Sequence, residues 1–366
     1  MMKNDMIKNW LNKKTIGFVV VAVVLLTILP APIIAKEDWY LLGNLTNIAL
    51  LSLISLGVWL TFYMGRINIG QGAFALIGGY VSAYCISKAG FSFWLSLPIA
   101  GLAASLVSVL IGLPILRLRG VYFAMVSLTF TQVATLLALS STMAKYTGSS
   151  QGITNLPVPG ALKIFGLTLI PDFADLADTK VGFYYLSMVL LLVAFLLMYR
   201  LVHSRQGILS RSLQQNEELA SSIGVNVARL RLISYAISSF LGGIGGAIFI
   251  ANLQSISPSA FTVKDSIDFM LYCFVGGLSN VFGPVIGATF LYLAWDWLSL
   301  TGNYQLFIYA TMIITLMLFL PNGLMSIQFH RWREIFTFIA RIKKIKPIML
   351  LNSVKKNINK KLGRRP

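Results

Sequence analysis

Ionisable side chains are scarce in this chain. Charged residues make up 11% of its 366 positions, against about 25% in ordinary soluble domains. Only two histidines occur, His203 and His330, and no cluster of His, Cys, Asp or Glu stands at metal-ligand spacing. The two cysteines, Cys85 and Cys273, both fall in apolar runs and read as reduced packing residues. No Gly-Lys dipeptide occurs, so a phosphate-cradling GxxxxGK[ST] loop is excluded and the chain does not hydrolyse ATP by itself. No catalytic set, metal or cofactor is therefore expected. Carboxylates are missing from the middles of the apolar runs too, since Asp265, Asp268 and Asp296 all fall near predicted outer edges. That weighs against a proton relay at depth, while sodium coupling through backbone carbonyls stays open.

What fills the chain instead is apolar sequence, at 57% hydrophobic residues and a mean hydropathy of +0.77. Runs such as 15–35, 121–144 and 181–199 approach or exceed the roughly 20 apolar residues that a bilayer crossing needs. The fold class is all-α: a polytopic membrane protein of about ten transmembrane helices, some short or broken. The predicted crossings are 16–34, 40–63, 67–87, 92–116, 120–143, 181–199 and 231–254, followed by three short ones. The last three require Gly276 to Pro284, with Gly and Pro at both ends, to be a turn. The first run follows Lys3, Lys8, Lys13 and Lys14, exceeds a signal-peptide core and lacks an A-x-A site, so it reads as a retained anchor.

Charge sets the orientation. Twelve Lys/Arg between Arg331 and Arg365 stand against one Glu, which places the C-terminus in the cytoplasm, together with the N-terminus. The net charge of +18 is thus an orientation signal, and its spread along membrane edges argues against nucleic-acid binding. The loop 145–180 falls outside, with Asp172, Asp175 and Asp178. The division is a transmembrane domain over 1–325 and a basic cytoplasmic tail over 326–366. In the tail, Phe329, Trp332, Ile335, Phe336 and Ile339 repeat at helical spacing, as in a helix lying on anionic lipid.

One polar segment, Ser204 to Arg231, interrupts the apolar sequence on the cytoplasmic side. It is too polar to cross a bilayer. Between Ile208 and Ile223 it has neither proline nor glycine, and Gly224 falls where a left-handed C-terminal cap belongs, so one short helix is predicted. Such a helix on one membrane face is what a soluble partner can grip. Within the crossings, Asn68 and Gln71 are the notable amides, because an amide in lipid must find partners or line a wet cavity. Thr129 and Thr131 can satisfy themselves on their own helix, which leaves Gln132 as the informative residue there. The stretch Leu241 to Ala247, rich in glycine, reads as a tight helix contact.

These segments carry a family resemblance. Gly65 to Tyr80 resembles the GxxxLGQAAFxxIGAY pattern of branched-chain amino acid ABC transporter permeases of the LivM type, with Asn68, Gln71 and Phe74 inside it. Leu118 to Leu128 is similar to LRGxYFAMVTL, and Thr147 to Ile153 to TGGSNGI. Gly207, Arg211, Asn216, Glu217, Ala220, Gly224 and Asn226 follow GRALRAIRENExAAxxxGxN. Ile256-Ser257-Pro258, Gly276 to Pro284 and Pro321 to Leu324 resemble ISP, VGGLGSxxGPxxGA and PRGL. The matches run in order from about 65 to 324. Departures are Ile208 for Arg, Gln151 for Asn or Asp, Ser149 for Gly and Asn322 for Arg.

The resemblance implies a permease subunit of an ATP-driven importer in a bacterial inner membrane. It implies two ABC ATPase subunits, a second permease subunit, sister or identical, and an extracytoplasmic solute-binding protein, with membrane lipid around them. The segment 205–230 would be the coupling helix, with Gly207, Arg211, Asn216, Glu217, Ala220 and Gly224 as coupling residues and Glu217 in polar contact with the ATPase. Asn68, Gln71, Phe74, Thr129 and Gln132 would belong to the translocation pathway. Leucine, isoleucine or valine is the expected substrate class. Urea or another small polar solute is the alternative, and a stand-alone sodium-coupled carrier is the reading from a different class.

Overall fold

The computed structural model describes residues 39–325, apart from 119, 165–166, 171, 174–178 and 223. The predicted crossing at 16–34 and the tail at 326–366 lie outside them. Four helices come first: α1 (Trp39–Tyr63), α2 (Gln71–Ser87), α3 (Phe93–Ile115) and α4 (Val121–Leu139). A short turn of helix, α5 (Ala144–Thr147), then leads to a two-stranded antiparallel ribbon, β1 (Leu162–Ile164) and β2 (Leu167–Ile170), which the sequence reading did not anticipate. After α6 (Thr179–Val202) come α7 (Arg205–Gln215), α8 (Glu217–Ser222) and α9 (Val227–Leu253). The described residues end with α10 (Val263–Gly276), α11 (Gly283–Leu298) and α12 (Gln305–Phe319).

Among the described residues, α1, α3, α4, α6 and α9 are each long and apolar enough to cross a membrane, as is the Gly283–Phe319 stretch that joins α11 to α12. That last stretch cannot be one straight crossing. Its 37 residues would extend about 55 Å, far beyond a ~30 Å hydrocarbon core. Gly302, at φ +58°, breaks it, and Trp295 stacks edge-on against Tyr309 with ring centroids 5.0 Å apart, so α12 folds back along α11. Gly276 ends α10 and Gly283 opens α11, as the turn reading required.

At two of the shifted boundaries an asparagine side chain is the local cause. α2 begins at Gln71 rather than 67, because the Asn68 carboxamide oxygen accepts from the Gly70 N–H at 2.9 Å and holds 66–70 out of the helix. α9 begins at Val227 rather than 231, where Asn226 caps it by accepting from Arg229 N–H at 3.0 Å. Just past the end of α1, Gly65 is left-handed at φ +79°, and Arg66 N–H reaches back to Thr61 O at 3.0 Å.

α1 and α9 form the centre of the bundle, with α2, α3 and α6 around them and α12 at the rim. The Leu241–Ala247 stretch is the tight contact that its glycines suggested. A Cβ on Gly246 would stand 2.0 Å from Ala75 O, and one on Gly245 would stand 2.4 Å from Ile54 Cγ1. Contacts between loops sort the helix ends into two faces. On one, Gln214 of α7 donates to Phe62 O, Trp59 Nε1 donates to Leu278 O, and Leu324 N–H donates to Val275 O. On the other, Ile153 pairs with Ile256 as an antiparallel bridge, Trp94 Nε1 donates to Gly160 O, and Tyr40 OH donates to Asp296. Cys85 and Cys273 are free and buried.

Candidate functional site

Two constellations occupy the first of these faces and the core above it. The deeper one is a polar seam around the start of α2, in which Asn68 and Gln71 are fully buried. Gln71 Nε2 donates to Ser238 O at 2.9 Å and to Ile54 O at 3.3 Å, so one carboxamide ties α2 to α9 and α1. Ser238 Oγ donates in turn to Gly57 O at 2.7 Å and lies 3.2 Å from Gln71 Oε1. Asn68 Nδ2 reaches Gln71 Oε1 at 3.3 Å. On the other side of the α2 start, Ser127 of α4 accepts from Ile69 N–H at 3.0 Å, and Ser266 of α10 accepts from Gly72 N–H at 3.0 Å. Thr131 and Ser266 hydroxyls meet at 3.2 Å. The orphan amides of a helix start inside an apolar bundle are thereby satisfied by side chains from neighbouring helices.

The second constellation is the polar segment. Instead of one helix from 208 to 223, the structure has two, α7 and α8, separated at Asn216, whose backbone is extended at φ −157°. The cause is local: the Asn216 side chain accepts from Glu218 N–H at 3.0 Å and Leu219 N–H at 3.1 Å, capping α8 and ending α7. Ser204 caps the other end of α7, so that helix starts at Arg205. Gly224 takes the left-handed conformation at φ +86°, and Val225 N–H closes back on Ala220 O at 3.2 Å, as predicted for a C-terminal cap. Gly207 is buried so close to the end of α6 that a Cβ there would stand 2.1 Å from Val202 O.

The two sides of this helix pair differ. Leu213 and Ala220 are buried against Leu230. Glu217 also turns inward: Arg231 Nη1 donates to its Oε1 at 2.8 Å, and Arg66 Nη2 stands 3.6 Å from its Oε2. Arg211, Asn216 and Glu218 are exposed, and so are two apolar side chains, Ile208 and Leu219, at 66% and 65% exposure. These two are the large apolar side chains exposed on an otherwise polar helix pair.

The profile of the family described as "Branched-chain amino acid transport system / permease component" matches residues 40–318. The chain belongs to this family. The permease protein LivM of the high-affinity branched-chain amino acid transport system of Escherichia coli (strain K12) is 29% identical over 276 residues, covering 71% of this chain and 64% of the relative. LivM of Salmonella typhimurium is 28% identical over the same length and shares. NupQ of Bacillus subtilis, a guanosine ABC transporter permease protein, is 28% identical over 251 residues, 64% of this chain and 76% of the relative. The chain spans just under two thirds of the length of its LivM relatives. No solved structure matches it.

In this permease the residues singled out from sequence fall into three places. Asn68, Gln71 and Phe74 are all fully buried, the first two in the seam and Phe74 against Phe130 and Tyr235 with ring centroids 5.4 Å away in each case. Thr129 and Gln132 are not with them: both lie on the exposed face of α4, the Thr129 hydroxyl returned to Met125 O at 2.9 Å. Of the residues expected to couple to an ATPase, Gly207 and Arg211 lie on α7, Glu217 and Ala220 on α8, Asn216 between the two and Gly224 just past α8. Sequence reasoning missed Ser127, Ser238 and Ser266, because a serine in a lipid-embedded helix can satisfy itself and so leaves no signal. It also missed Arg66 and Arg231, because the inward turn of Glu217 that pairs them is set by residues distant in sequence and leaves no local signal.

As a member of this family with six stretches able to span among its described residues, the permease is a multi-pass protein of the cell membrane.

Proposed function

We propose that this permease is one half of an ATP-driven importer for branched-chain amino acids. The observation that carries the reading is the helix pair α7–α8, bound under the ends of the spanning helices with Ile208 and Leu219 turned outward, in a chain of this permease family. Two ABC ATPase subunits would take that surface on the cytoplasmic side, and their closure would be delivered as a rigid-body push. ATP hydrolysis would belong to those subunits. A second permease subunit, sister or identical, would complete the pathway, and a solute-binding protein would deliver substrate on the opposite face. Thr129 and Gln132 of α4 would then line the pathway, while Asn68 and Gln71 brace the helix beside it. The ten-crossing count and cytoplasmic termini stay with this proposal, as does the division into a membrane domain over 1–325 and a lipid-bound tail.

The LivM relatives support leucine, isoleucine and valine as the substrate class. The guanosine relative favours a second reading, a small polar solute. Uptake of labelled leucine in cells lacking this chain, with and without its restoration, separates the two. Restored uptake that excess isoleucine blocks and urea or guanosine does not block supports the branched-chain reading. Restored membrane protein without leucine uptake sinks it.

A further inference from the structure

Glu217 opens α8 with its carboxylate aimed away from the surface that a partner would cover. Its side chain is 25% exposed, whereas the arginine side chains against it, Arg66 and Arg231, are each 6% exposed. Three separate stretches of chain meet at this one acid. Arg66 lies in the irregular stretch between α1 and α2, two residues ahead of Asn68. Arg231 lies in the second turn of α9, and Ser238 follows it seven residues later on the same side of that helix. Gln71 and Ser238 are joined at 2.9 Å. The contacts therefore close a ring: from Glu217 through Arg66 and Asn68 to Gln71, across to Ser238, down α9 to Arg231, and back to Glu217.

A carboxylate between two largely buried guanidiniums attracts both far more strongly than an ion pair in open water would. α8 has six residues, too few to hold as a helix on its own. Its position is set by this ion pair, by the Asn216 cap and by Ala220 packed under Leu230.

We propose that Glu217 is a positioning residue, a clasp that makes α7–α8, the 64–70 stretch and α9 move as one body. Motion received on the outward side chains Ile208 and Leu219 then reaches the crossing of α2 and α9 without slack. This rests on the importer reading, and it reassigns Glu217 from an ATPase contact to an internal one. Without the carboxylate, two buried cations face each other, and the 64–70 stretch and α9 separate from the coupling helices.

The test uses the full chain with its ATPase subunits and compares Glu217→Gln, Arg231→Gln and the double variant. Two quantities are read: ATPase subunits retained on the tagged permease, and substrate imported per ATP hydrolysed. The clasp predicts that Glu217→Gln keeps the ATPase subunits bound and hydrolysing, while import per ATP falls by about five-fold or more. Arg231→Gln should behave alike, and the double variant should lose less than the product of the two single losses. Shedding of the ATPase by Glu217→Gln with retention by Arg231→Gln makes Glu217 a docking contact and overturns the clasp. An unchanged ratio in Glu217→Gln overturns it too. If Glu217→Gln fails to reach the membrane, Glu217→Asp decides, since it keeps the charge and shortens the reach: an unchanged ratio there overturns the clasp, a lowered one supports it. A wild-type permease that captures no ATPase overturns the importer reading itself, before any variant is compared.

Discussion

Gly78 and Gly243 face each other where α2 crosses α9, so closely that a Cβ on Gly78 would stand 2.3 Å from Gly243 Cα and 2.4 Å from its carbonyl oxygen. Both obstacles are backbone, which cannot rotate aside. Gly78→Val is therefore expected to push α2 off α9, at a cost of about 1–3 kcal/mol or more. Membrane abundance and the unfolding temperature in detergent should both drop. Gly43→Ala serves as the control, since nothing lies within 4 Å of that added Cβ and alanine favours the helix. Equal behaviour of the two variants would mean that the crossing is looser than described.

Gln71 is the hinge pin of the buried seam. Replacing it with Leu keeps the bulk and removes every hydrogen bond to Ser238, Asn68 and Ile54. Each polar partner left buried and unmatched costs about 1–3 kcal/mol. Gln71→Leu should lower the unfolding temperature more than Ser238→Ala does, because Ser238 shares its contacts with Gly57 O while its own backbone oxygen stays in place for Gln71. The reverse order would contradict the seam.

Ile208 and Leu219 should matter only when a partner is present. Ile208→Asp and Leu219→Asp are expected to leave the isolated permease at wild-type stability, since both side chains are already exposed. Capture of ATPase subunits should weaken in each. Variants that lose stability but keep ATPase bound would place the partner surface elsewhere.

Gln132 provides a contrast with Gln71. It sits on the exposed face of α4, one turn from Thr129, whereas Gln71 is sealed in the core. Gln132→Leu should change uptake rate or substrate preference with no fall in unfolding temperature. Unaltered transport would remove Gln132 from the pathway.

Much of this architecture is written in the apolar runs, because a bilayer leaves few ways to satisfy a backbone. The runs near 40–63, 92–116 and 181–199 translate into α1, α3 and α6 with ends shifted by at most three residues. The reading failed where a single side chain, rather than average polarity, sets a boundary. Asn68, Asn216 and Asn226 each accept from a backbone amide two or three residues on, at the places where an expected helix was moved or split. Arg231 misled for a different reason: its charge marks it as outside the membrane core, yet Glu217 lets it be buried four residues inside α9. The inward turn of Glu217 itself depends on residues distant in sequence, Arg66 among them, and no local pattern encodes that.

α12 touches the bundle lightly, and Leu306, Phe307, Ile314, Leu318 and Phe319 all point away from it. Its 15 residues rise only about 22 Å, less than the hydrocarbon thickness of an average bilayer. A short greasy rod at the edge of a protein can meet such a membrane by drawing the nearby lipid thinner or by leaning less than its neighbours. Selection at those outward positions then comes from the thickness and fluidity of the host's lipids rather than from shape inside the protein, so this helix is where the permease can be refitted to a new membrane while the crossing of α2 and α9 stays untouched.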